Sequence, residues 1–158
     1  MTRVRDRQTR VQQLEDGLVQ ALTFERTLTD LDHVRLLNLV RRDKRDGRSA
    51  PQSPSIEHLL DECAIVASRQ VSPDVVTMYS QIEIVDPVTA TRQRLTLCYP
   101  HDAEPAAGFV SVLSPIGAAL LGLQVGEQAR WRTPDGRDAS GEVAAILFQP
   151  EASGDYMI

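Results

Sequence analysis

The chain has 158 residues, 42% of them hydrophobic and 25% charged, with a formal net charge of -5. That length suits one ordinary domain plus a smaller helical appendage, and the composition is not that of a disordered protein. The acidic balance argues against general nucleic-acid binding, which needs a basic surface to neutralise phosphates, so any DNA contact is expected to be weak or indirect.

Residues 1–25 open with Arg3, Arg5, Arg7 and Arg10 and then place Val11, Leu14, Leu18 and Leu22 at spacings of three and four. This is the pattern of a helix with one apolar stripe. The arginines read either as an arm for an acidic protein or nucleic acid, or as a solvated, frayed terminus. The stripe either caps the helical hairpin that follows or pairs with its copy in a dimer. Next, Thr29 with Asp32 three residues on approximates a capping box. Leu31, Val34, Leu37 and Val40 then recur on one face of a helix running to about Arg45, with Asn38 as a polar interruption. A second helix takes Ser53 or Ser55 as its cap and Pro54 in its first turn, with Ile56, Leu59, Leu60, Cys63, Val66 and Ala67 as its apolar seam. The polar stretch from Arg41 to Ser53, with Gly47 and Pro51, is the tip of an antiparallel helical hairpin, a short coiled coil over residues 26–70. Its arms are about 20 to 25 Å long at about 1.5 Å per residue.

Residues 71–158 read as a compact antiparallel sheet with one short helix, which makes the chain α+β. Strands are expected at Ser80 to Val85, Arg92 to Cys98, Phe109 to Leu113, Gln128 to Trp131 and Gly141 to Phe148. Turns open at Asp86-Pro87 and at Asp135-Gly136. Between them Ser114 caps a helix from Pro115 to Leu121, and Gly122 stops it. That helix is too short to stand alone and should lay Ile116, Leu120 and Leu121 on the sheet.

Catalytic readings find little support in these residues. His33, His58 and His101 lack ligand spacing to Cys, His or acidic partners, so no metal site is expected and the histidines read as surface groups. Ser114 lies in no G-x-S-x-G elbow, and its capping role accounts for it. Gly117, Gly122 and Gly126 do not make a dinucleotide fingerprint, and no cofactor is expected. Cys63 and Cys98 read as buried free thiols, which fits a reducing cytoplasm. No apolar run is long enough for a membrane span, and the N-terminus lacks the apolar core of a signal peptide.

Several motifs occur in a telling order: Val75-Val76-Thr77-Met78-Tyr79-Ser80, Leu97-Cys98-Tyr99-Pro100, Ser114 to Leu123, and Gln149 to Asp155 followed by Tyr156. In this order they resemble the C-terminal domain of the bacterial Gre transcript-cleavage factors, and more closely the Rnk branch of Gre-like proteins, regulators of nucleoside diphosphate kinase. The resemblance implies an FKBP-like C-terminal domain and a non-enzymatic, cytoplasmic regulator that binds RNA polymerase at the rim of its secondary channel. It places Leu113, Ser114 and Pro115 at the positions of the polymerase-docking loop, although some Gre factors have an acidic residue where Leu113 stands. Gre factors also carry a longer coiled coil whose clustered carboxylates help hold a catalytic metal ion. Here Asp43 and Asp46 alternate with Arg41, Arg42, Lys44, Arg45 and Arg48. A basic tip repels a cation, and both carboxylates are expected to pair with neighbouring arginines. An FKBP-like prolyl isomerase or peptide-binding module is the alternative, but it would need an aromatic-lined cavity. A direct action on nucleoside diphosphate kinase is another, with an indirect effect through transcription the simpler route.

Overall fold

The computed structural model of the protein describes residues 26–47 and 53–157, apart from the side chains of 53–55. The expected helix of residues 1–25 and the tip residues 48–52 lie outside this range. The first strand, β1 (Thr27–Thr29), runs into α1 (Asp30–Arg45), and α2 (Ser53–Glu62) runs into β2 (Ala64–Val66). The Thr29 hydroxyl accepts from the Asp32 amide at 3.1 Å, so the expected cap forms. Asp30 and Asp32 in the first turn, with Arg42, Lys44 and Arg45 in the last, oppose the helix dipole at both ends.

Two helical expectations need correction. The buried face of α1 carries Asp32, Leu36 and Val40, while Val34 is 54% exposed. A stripe starting at Leu31 and one starting at Asp32 satisfy the same 3.6-residue period, and the core takes the one that contains Leu36. The second helix stops at Glu62, and Val66 lies in β2. Long-range pairing overrides the period there: the Ala64 amide donates to the Arg26 carbonyl at 2.8 Å, and Thr27, Leu28 and Thr29 lie opposite Ala64, Ile65 and Val66 in parallel register.

The main sheet has the order β5-β4-β3-β7-β6, with β3 at Gln81–Val85, β4 at Arg92–Cys98, β5 at Phe109–Ser111, β6 at Gln128–Arg132 and β7 at Asp138–Phe148. The expected all-antiparallel sheet is corrected at one edge, where β5 lies parallel to β4. Two short 3-10 turns, Pro100–Asp102 and Pro105–Ala107, turn the chain between these strands so that it re-enters in the same direction. Irregular register between β3 and β7 at Gln81/Ile82 and Glu83/Ile84 marks bulges, which sharpen the twist of a sheet. Ile82, Ile84, Leu95, Leu97 and Val143 fill the inner face.

The short helix α3 (Pro115–Leu120) buries Leu120, with Leu121 just beyond it, and Ile116 packs beside them. The Arg26 guanidinium closes its C-terminal end by donating to the Ala118 carbonyl at 2.7 Å. Beside it the Thr27 amide donates to the Gly122 carbonyl, and the Gly122 amide to the Val76 carbonyl. Gly122 has φ +80°, and a Cβ there would meet Arg26 Cβ at 3.0 Å, so both conformation and space select glycine. The helices and sheet thus share one apolar cluster, from Leu28, Leu36 and Leu60 to Ile82, Val112 and Leu121. Among the described residues no helix is long and apolar enough to cross a membrane.

Candidate functional site

The loop that enters α3 is held rigidly from beneath. Fully buried Val112 donates its amide to the Cys98 carbonyl at 2.8 Å and anchors the end of β5. Ser114 then works in both directions: its hydroxyl donates to the Ser111 carbonyl at 2.6 Å and accepts from the Gly117 amide at 3.2 Å. The cap expected from the sequence is present. Leu113, Ser114 and Pro115 are each half-buried, and Leu113 leans partly against the core. Ser114→Ala should cost about 0.5 to 2 kcal/mol in a denaturant melt, the usual worth of such a cap.

Gly117 is the closest backbone approach in this region. A Cβ built on it would lie 2.0 Å from the Ser111 carbonyl oxygen. Only glycine lets α3 sit this near the end of β5.

Asp46 is the C-terminal cap of α1, with its own amide donating to the Arg42 carbonyl at 3.1 Å, and its side chain is exposed. Asp43 is half-buried. Among the described residues neither forms an ion pair with an arginine, against the sequence expectation; Lys44 reaches across to Glu57 at 3.0 Å instead. Arg41, Arg42 and Arg45 are exposed, so the surface offered at this end of α1 is basic. Such a surface does not suit a divalent cation.

The histidines take three different places. His33 is half-buried, and its Nε2 donates to the Leu60 carbonyl at 2.9 Å, which ties α1 to α2. This corrects the surface reading for His33. His58 lies 3.4 Å from Glu62, and His101 3.3 Å from Asp102, both on exposed side chains. Cys63 is likewise only half-buried, whereas Cys98 is buried; both thiols are free.

A buried acidic cluster joins α1 to the sheet, and the sequence reading missed it. Asp32 is 1% exposed and accepts from the Met78 amide at 3.2 Å. Glu151 accepts from the Thr77 hydroxyl at 2.8 Å, and the Thr77 and Ser80 hydroxyls lie 2.9 Å apart. Burial pushes the Asp32 carboxyl up to about 6, against the hydrogen bond from Met78, and nearby Glu151 adds to the rise. Burial raises Glu151 as well. One signal was available: Asp32 shares a helix face with Leu36 and Val40, and a carboxylate on an apolar stripe needs partners.

The family described as "Transcription elongation factor, GreA/GreB, C-term" matches residues 70–148. The regulator of nucleoside diphosphate kinase of Escherichia coli (strain K12) is 33% identical over 131 residues, spanning 83% of this chain and 95% of that protein. A transcription elongation factor GreA of Nitratidesulfovibrio vulgaris (strain DSM 19637 / Miyazaki F) is 29% identical over 133 residues, 84% of this chain and 81% of the relative. Among solved structures, a prokaryotic transcription elongation factor GreA/GreB from Nitrosomonas europaea aligns with a TM-score of 0.66 and 28% identity, over 78% of this chain and 100% of that one. With the family's C-terminal domain matched over residues 70–148, and with 84% of its length aligned to a GreA protein, the chain belongs to the GreA/GreB transcription elongation factor family.

Proposed function

We propose that this chain is a non-catalytic, cytoplasmic regulator that docks on RNA polymerase at the rim of its secondary channel and competes there with Gre factors. Residues 71–158 are its docking domain, FKBP-like in arrangement, residues 26–70 its short hairpin and residues 1–25 an extension. The observation that carries the reading is the pairing of a rigid docking-loop equivalent with an unsuitable tip. Ser111, Ser114 and Gly117 hold the loop, while the end of α1 is basic and its 16 residues reach only about 24 Å. Such a molecule occupies the channel entrance without bringing in a second metal. Any effect on nucleoside diphosphate kinase then follows through transcription.

The docking loop is tested by fluorescence anisotropy of labelled protein on RNA polymerase. Leu113→Asp should weaken binding about tenfold, equivalent to about 1.4 kcal/mol. Leu113 also touches the core, so a thermal melt must accompany the measurement. Ser114→Ala, which keeps the loop's apolar surface, should bind closer to wild type. If both variants stay folded and bind polymerase like the wild type, the contact moves to the helical hairpin.

A further inference from the structure

An open cleft of about 500 Å³ lies between α1 and two tyrosines, Tyr79 of the first motif and Tyr99 of the second. Arg35, Leu39 and Arg42 form one wall, and Tyr79, Tyr99 and His101 the other. Every charged residue lining it is basic, on a chain whose net charge is -5. Asp102, beside it, is already engaged by the Tyr79 hydroxyl at 2.6 Å and by His101 at 3.3 Å.

Two features of this cleft point to a ligand. Among the described residues the Tyr99 hydroxyl is buried without a hydrogen-bond partner of good geometry, a cost that folding alone gives no reason to keep. Arg35 lies close enough to favour its phenolate, but its well-formed hydrogen bond goes to the Met157 carbonyl at 2.9 Å. Tyr79 holds φ +61°, a left-handed conformation that is strained for an aromatic residue. Strain of this kind persists where a side chain must be presented in one place. Here it sets the Tyr79 ring edge-on to Tyr99, with centroids 5.7 Å apart.

We propose that this cleft binds a phosphate monoester of a flat aromatic ring, the anion held by Arg35, Arg42 and the Tyr99 hydroxyl, and the ring by Tyr79 and Leu39. Guanidinium forks match phosphate oxygens, and Arg35 spends only one of its N–H groups on Met157. Arg35 and Arg42 are two helical turns apart, about 10.5 Å along the axis, a span their side chains can close around one dianion. Burial and nearby Asp32 raise the Tyr99 phenol to about 12, so it keeps its proton and donates. The inference stands apart from polymerase docking, since none of these residues belongs to the loop at Leu113.

Phenyl phosphate, titrated into the full-length protein and followed by NMR of the tyrosine and histidine ring protons, tests the assignment. It should bind with a Kd of about 1 mM or below, and at least about tenfold more tightly than either inorganic phosphate or phenol. Arg42→Ala, a change at an exposed position, should weaken it about tenfold. Tyr99→Phe should also weaken it while raising the melting temperature, because it removes an unpartnered buried hydroxyl. The two opposite shifts separate a ligand group from a packing group. No binding at about 10 mM, or binding untouched by both substitutions, would overturn the proposal.

Discussion

Gly117→Ala should lower the stability of the protein by about 3 kcal/mol or more, at the upper end of what overpacking costs. For a chain of this size that corresponds to a fall in melting temperature of about 10 °C. The reason is distance. The added Cβ falls 2.0 Å from the Ser111 carbonyl oxygen, and the next contacts are also backbone, so no flexible side chain can yield. Relief would require lifting α3 from β5, breaking the Ser114 cap and uncovering Leu120. Gly126→Ala is the control. It also replaces glycine, at φ +93°, but nothing lies within 4 Å of its Cβ, so only the backbone term of about 1 to 2 kcal/mol applies. Equal melting temperatures for the two variants would show that close approach is not what selects glycine at 117.

Asp32→Asn should change how stability depends on pH. The folded-state pKa of Asp32, about 6, lies above its ordinary value of 3.8. Between those two values the folded protein binds more protons than the unfolded chain, so this group's contribution falls as pH rises. A shift of that size corresponds to about 3 kcal/mol, fully present below pH 4 and lost by about pH 7. Asparagine retains an oxygen for the Met78 amide and carries no charge to bury. It also gives up a favourable carboxylate in the first turn of α1, which offsets part of the gain. The variant should therefore match wild type near pH 4 and exceed it by about 1 to 3 kcal/mol at pH 7. Urea melts across this range check it, and parallel curves for the two proteins would contradict it. Buried Glu151 shifts in the same direction and remains in both.

Local chemistry made much of this fold legible. The Thr29 cap, the Ser114-Pro115 start of α3 and the bounds of β4 follow from residues within a few positions of one another. What escaped depends on distant partners. β1 and β2 are three residues each and exist only as a pair, with Arg26 and Ala64 joined although α1 and α2 lie between them in sequence. The apolar seam of α2 continues in sequence through Val66, yet that pairing ends the helix first. The parallel β4–β5 edge depends on a crossover of two 3-10 turns, which strand periodicity does not report. At the candidate site the helix cap was readable, but neither the crowding at Gly117 nor the buried Asp32 is visible until the chain is folded. Asp32 reads from the sequence only as part of the Thr29 cap, because a hydrophobic stripe chosen by apolar residues passes over the carboxylate that shares the buried face.

A Gre-like chain with a basic, short tip should block rather than assist transcript cleavage. The direct measurement is RNA cleavage in a stalled, backtracked polymerase complex, with and without a GreA protein. Alone, this protein should leave the cleavage rate at its intrinsic level. In excess, it should suppress the stimulation given by GreA, and raising GreA should restore it. Strong stimulation by this protein alone, abolished by Asp43→Ala or Asp46→Ala, would contradict a blocking role.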